Sequence, residues 1–181
     1  MKFERLIDDG RLWAVMYDGD SINIFDKVFD CWNDFEWLRS FFKEHSSDLA
    51  SYFHITDIDS AVFDTVDDAY RLECLILDIN PDANLDEIFR PLENSRMQEV
   101  VLGREKAKGK RTTHASWLRI YAIRLDAGVY IITGGAIKLT ATMQERKHTL
   151  NELTRLNNVR DFLICNGIID SEGFVQYINE N

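Results

Sequence analysis

Apolar and polar residues alternate along this chain with two different periods, and the change comes near its middle. In "NIFDKVFDCWNDFEWLRSFFKEH", Phe25, Val28, Phe29 and Trp32 fall at the spacing of one helical face. Asn33 followed by Glu36 reads as a cap that restarts a helix through Leu38, Phe41 and Phe42, so the stretch predicts two short helices or one kinked helix. A further helix is predicted from Asp59 to about Asp78, with Val62, Val66, Ala69, Leu72, Leu75 and Ile76 inward. Asp64, Asp67, Asp68 and Arg71 form its wet side, and Pro81 closes the region. Ahead of the helices, "RLWAVMYDGD" is apolar at both alternating sets before an Asp-Gly turn, which predicts a buried strand.

The second half follows the period of strands. "QEVVLGREKA" reads as a strand, and "GREKAKGKRTTH" as a mobile cationic loop after it. "SWLRIYAIRLD" and "GVYIITGGAIKLT", joined through "LDAG", predict a hairpin over Trp117 to Lys138. Gly134 and Gly135 interrupt its second strand and imply a bulge or a close approach. A long helix then starts at a Thr142/Glu145 capping box, turns Leu150, Leu153, Leu156, Val159 and Leu163 inward, and stops at Asn166-Gly167. The expectation is one domain over 1–181. It divides into an acidic, mainly helical part (1–87), a basic sheet with the long C-terminal helix (88–166), and a tail (167–181). The fold class expected is α+β, a small twisted, mainly antiparallel sheet flanked by helices.

Composition adds one thing to this picture, a division of charge. The chain has 21 Lys and Arg against 31 Asp and Glu, net -10. Residues 1–95 carry 8 cations and 22 anions, whereas residues 96–160 carry 13 cations and 5 anions. Such a division marks a polyanion-binding face, an acidic partner, or an acidic half that covers a basic one. The charged N-terminal stretch has no apolar core of a signal peptide, and no segment is long enough to span a bilayer, so a cytoplasmic protein is expected. Cys31, Cys74 and Cys165 suggest neither a disulfide framework nor a zinc site and read as buried thiols.

The cations gather in four places. They are the loop residues Arg104, Lys106, Lys108, Lys110 and Arg111; Arg119 and Arg124 on the hairpin; Lys138 at its end; and Arg146, Lys147 and His148 at the helix start. Alternation sends Arg119 and Arg124 to opposite faces of the sheet, which favours Arg119 for a site. Cations at a helix N-terminus oppose its dipole, and a bound anion reverses that penalty. First-turn N–H groups, the hydroxyls of Thr140 and Thr142, and those cations would then hold a phosphate. Pairing of the cations with Glu145 and Glu152 explains the same pattern without a ligand. His114 and His148 are the histidines of the basic half and titrate near neutral pH. Two histidines and a cationic cradle suffice for metal-free RNA cleavage, in which a 2′-hydroxyl attacks its own phosphate. Asp64, Asp67 and Asp68 lack a calcium loop or a His partner, so no metal site is assigned. Phosphate-loop, serine-elbow, dinucleotide and zinc-protease signatures are missing.

The order of helices, "FRPLEN", a strand with basic ends, "WLRIYAIRLDAGVYIITGGAIKLT" and a final helix resembles the RelE/ParE toxin superfamily, and within it the HigB-like, phage-derived branch. Leu92, Arg119, Tyr121, Asp126, Gly128, Gly135, Ile137, Lys138 and Thr140 carry the likeness, which covers about residues 88 to 150. The resemblance implies a toxin of a toxin–antitoxin system that acts on mRNA as a metal-independent endoribonuclease without a cofactor. RNA or the ribosome and an antitoxin protein would be its partners, with neither DNA nor a membrane. Arg119 and Lys138 would hold the phosphate while His148 or His114 moves protons. The alternative is a non-enzymatic module whose basic sheet face binds an acidic protein or the chain's own acidic half.

Overall fold

The computed structural model describes residues 1–78, 84–92, 101–109 and 114–180. Two strands come first, β1 (Lys2–Arg5) and β2 (Leu12–Met16), then four helices: α1 (Ile24–Asn33), α2 (Phe35–Glu44), α3 (Ser46–Phe53) and α4 (Ile58–Leu77). After a 3-10 turn at Leu85–Glu87 come β3 (Arg90–Pro91), β4 (Gly103–Lys108), β5 (Leu118–Asp126) and β6 (Val129–Ile137). A second 3-10 turn, Met143–Glu145, leads into α5 (Lys147–Cys165) and α6 (Ser171–Glu180). The described strands form one sheet in the order β1-β2-β6-β5-β4-β3. Its pairings are antiparallel except for β2 with β6, where Leu12, Trp13 and Ala14 lie beside Tyr130, Ile131 and Ile132. The class is α+β, as the change of period predicts.

Successive glycines of β6 show how the helices divide between the two faces. A β-carbon on Gly135 would meet Val28 of α1 and Ile120, whereas one on Gly134 would meet Glu152 of α5. Neighbouring residues of a strand point to opposite faces, so α1 lies against one side and α5 against the other. Phe25, Val28, Phe29 and Trp32 of α1 are buried, as are Val62, Ala69, Leu72 and Ile76 of α4. Each large aliphatic or aromatic side chain so removed from water contributes about 1.5–3 kcal/mol before entropy is set against it. Trp117, fully buried, donates its indole N–H to Thr65 Oγ1 at 2.9 Å and so ties α4 to the start of β5. On the α5 side, Leu156, Val159 and Leu163 are buried. Phe174 of α6 packs edge-on to Phe3 and Trp13, with ring centroids 5.1 and 5.2 Å apart.

Several expectations are corrected. The cationic stretch read as a loop is in part strand β4, and the tail contains α6. α2 is capped by Asp34, whose carboxylate accepts from the N–H groups of Glu36 and Trp37, not by Asn33. α5 starts at Lys147, because the backbone of Arg146 is extended (φ -133°, ψ 141°), and the Thr142/Glu145 pair closes only the preceding 3-10 turn. β1 and α3 are additions to the expected elements; β1 has four residues with none fully buried, and α3 has eight with only Asp48 and Leu49 buried, so neither carries an apolar face for periodicity to reveal. Leu150 is exposed, and Asp68, expected on the wet side, is buried. Cys31 and Cys74 are half-buried and Cys165 is exposed, so the three are not buried thiols. Pro81 lies outside the described residues. The hairpin follows expectation, with Gly128 at φ +74° in its two-residue turn and a register shift where Tyr121 and Ala122 face Gly134 and Ile132. Among the described residues, no helix is long and apolar enough to cross a membrane.

Candidate anion-binding cleft

β4 reads Gly-Arg-Glu-Lys-Ala-Lys, so its cations occupy every second position. Strand geometry puts Arg104, Lys106 and Lys108 on one face and Glu105 and Ala107 on the other. The ladder to β5 sets Lys108 opposite Arg119, Lys106 opposite Tyr121 and Arg104 opposite Ile123. Lys138, just beyond β6, reaches the same place. With Leu92, the Ala141–Gln144 turn and Leu153 of α5, these residues line a cleft of about 450 Å³. No carboxylate is among the described residues that line it.

Neutral acceptors are among the partners of these cations. Lys106 Nζ donates to Leu92 O at 2.7 Å, and Lys138 Nζ donates to Thr140 O and Ala141 O, both at 2.6 Å. The Arg119 guanidinium donates to Ser116 O (2.6 Å) and Leu118 O (2.7 Å), and Arg104 donates to Asn157 Oδ1 (2.9 Å). Burial, and then the repulsion of Lys108, Arg119 and Lys138, lowers the pKa of Lys106. Lys108 is lowered by burial and Arg119. Lys138 is lowered by burial, Arg119 and Lys108, with Glu145 opposing. Burial also lowers Arg119. Among the cleft's lining residues, Tyr121 is 1% exposed and its hydroxyl has no hydrogen-bond partner among the described residues. Burial pushes the phenol pKa upward, so it stays protonated. A group of like charges with an unused hydroxyl is stabilised by an anion that accepts from several of them at once.

The remaining candidate residues are distributed elsewhere. Thr142 lines the cleft, but its hydroxyl donates to Glu145, and that of buried Thr140 donates to Thr142 O at 3.0 Å. Arg146, Lys147 and His148 line a second cavity of about 700 Å³ between α1, α2 and α5. There Arg146 binds Asp48 through both carboxylate oxygens, with Nε 2.7 Å from Oδ2. His148 Nε2 lies 2.9 Å from Ile137 O, an acceptor only, so that nitrogen carries hydrogen. Its ring sits 4.8 Å from that of His45, whose pKa is lowered by burial and then by His148. His114 stacks on Trp117 (4.4 Å) and approaches Asp64 Oδ2 at 3.1 Å, beside α4. Neither histidine lines the cleft. Arg124 lies 3.7 Å from Asp86, away from Arg119, as alternation requires. Lys110 and Arg111 fall outside the described residues. Tyr121 was missed as a site residue, although its separation of two from Arg119 places both on one face. The alternation of charge in β4 was a second signal of the same kind. No protein-family model, no curated protein and no solved structure matches this chain.

Proposed function

We propose that this protein acts on RNA in the manner of a RelE/ParE-type toxin, with the β4–β5 cleft holding the phosphodiester backbone. The observation that supports this best is the set Lys106, Lys108, Arg119 and Lys138, which lines one cleft with Tyr121, whose buried hydroxyl has no hydrogen-bond partner among the described residues. Arg119, Tyr121 and Lys138 are also three of the residues that carry the resemblance to that superfamily. The cations bind the phosphate and stabilise charge on its oxygens. In a metal-independent cleavage, the amines of Lys106 and Lys138, each made more acidic by burial and then by neighbouring cations, are the groups placed to move protons. His114 and His148 have no part in the cleft as it stands. The acidic helical part, residues 1–87, packs α1 and α4 on the other face, and none of its described residues lines the cleft.

Titration with single-stranded RNA at several salt concentrations tests the proposal. Four phosphate contacts give a log-log salt slope of about -3. Lys106→Ala with Arg119→Ala should abolish this binding and any growth arrest on expression. Absence of RNA binding by the wild-type protein would overturn the proposal and leave the cleft to an acidic protein partner.

A further inference from the structure

The outer side of α4 carries a row of apolar side chains left open to solvent. Phe63, Tyr70 and Leu77 recur every seventh residue and are 62%, 65% and 37% exposed, with half-buried Val66 between the first two. Phe35, at the start of α2, extends the row, its ring 5.7 Å from that of Phe63 and 43% exposed. An exposed apolar row of this kind marks an interaction surface. Spacing by seven keeps successive side chains on one line along a helix, which is the arrangement that seats a second helix.

Charge beside the row identifies the occupant. Where α1 packs on α4, half-buried Glu73 of α4 meets the charges of exposed Asp26 and Asp30 of α1, which with burial raise its pKa, while the other flank of the row carries the Arg71–Asp67 pair. Asp78 stands at the C-terminal end of α4, where the helix dipole already disfavours negative charge. A second copy docked through the same face would bring a second set of these carboxylates into the interface, and like charges there oppose self-association. A cationic helix reverses that cost. We propose that the Phe63–Tyr70–Leu77 face of α4 docks an amphipathic helix of a partner protein, with apolar residues at heptad positions and Lys or Arg beside them. This face lies on the α1 side of the sheet, so its occupation leaves the cationic cleft open, and it stands independently of what that cleft binds.

Two designed helical peptides with the same apolar heptads, one flanked by lysines and the other by glutamates, separate the outcomes by fluorescence anisotropy against the full chain. The lysine peptide should bind and the glutamate peptide should not. Phe63→Asp with Tyr70→Asp, both exposed and checked for an unchanged thermal melt, should weaken lysine-peptide binding by about tenfold or more. Asp30→Lys should weaken the lysine peptide and strengthen the glutamate peptide. Equal binding of both peptides, binding of neither, or indifference to the double substitution would overturn the proposal. So would a dimer in sedimentation that the double substitution dissociates, because a second copy would then own the face.

Discussion

The carboxylate of Glu152 occupies the space that a side chain on Gly134 would fill, since a β-carbon there would stand 1.9 Å from Glu152 Oε2. Gly134 is the cross-strand partner of Tyr121, so this acid lies on the Tyr121 side of the sheet, where it lines the second cavity and its charge adds to the rise of the phenol pKa. Burial raises the Glu152 pKa, and Arg155, donating to Oε1 at 2.7 Å, opposes the rise. Gly134→Ala should therefore displace Glu152 and cost about 1–3 kcal/mol in urea unfolding. In a Glu152→Ala background the same change should cost far less, because the clash is gone. Equal costs in both backgrounds would show that the glycine is needed for its backbone instead.

The cleft predicts a division among the lysines. Lys106→Ala and Lys138→Ala should each make the RNA salt slope shallower by about 0.7. Lys147→Ala, in the second cavity, should leave the slope unchanged. Measured slopes that respond equally to all three would place the RNA path elsewhere.

Glu105 faces away from the cleft and is buried, with Oε2 unpartnered, and burial pushes its pKa to about 7 from an ordinary 4.5. Arg124 is the main opposing influence. The native state thus binds this proton more tightly than the unfolded chain does, and stability falls as pH rises from about 4.5 through 7. Glu105→Gln should match the wild type at pH 4 and exceed it at pH 8 by about 1–2 kcal/mol after screening by water and the nearby cations. Chemical denaturation at the two pH values is the measurement, and equal stability differences at both would remove Glu105 as the cause.

The Asp48–Arg146 pair has the opposite pH dependence. The hydrogen bond from Arg146 lowers the Asp48 pKa, with burial opposing, so its stabilisation is complete above the ordinary carboxylate value of 3.8 and is lost as pH falls below it. Asp48→Asn should lower the melting temperature at pH 6 and narrow the difference from wild type at pH 3. A difference that persists unchanged to pH 3 would assign the loss to packing.

Periodicity made the long elements legible. α4 and the β5–β6 hairpin lie close to where the spacing of Val62, Ala69 and Leu72 and the run around Ile131 put them. The glycine pair was legible as a close approach, although not that the approaching group is a carboxylate on α5. β4 was harder, because its side chains are charged on one side and its hydrophobic signal is weak; only the repetition of Arg104, Lys106 and Lys108 carried the period of two. Charge totals identified the basic half but not its division into a cleft and a cavity, which depends on which side of α5 each residue meets. The pairing of Arg146 with Asp48, from opposite halves of the chain, had no local signal at all.

β6 has neighbours of two different origins, and this orders events in time as well as in space. Its partnership with β5 closes through a two-residue turn, an event of about 1–10 μs in simple hairpins. Its other edge is filled by β2, which is synthesised long before β6 exists and must search back across the intervening helices. A chain emerging from the ribosome therefore holds its first hairpin without a docking partner until the last third is made. The edge of β2 that the finished sheet covers is open for that interval, and the arrival of β6 ends its exposure to other chains.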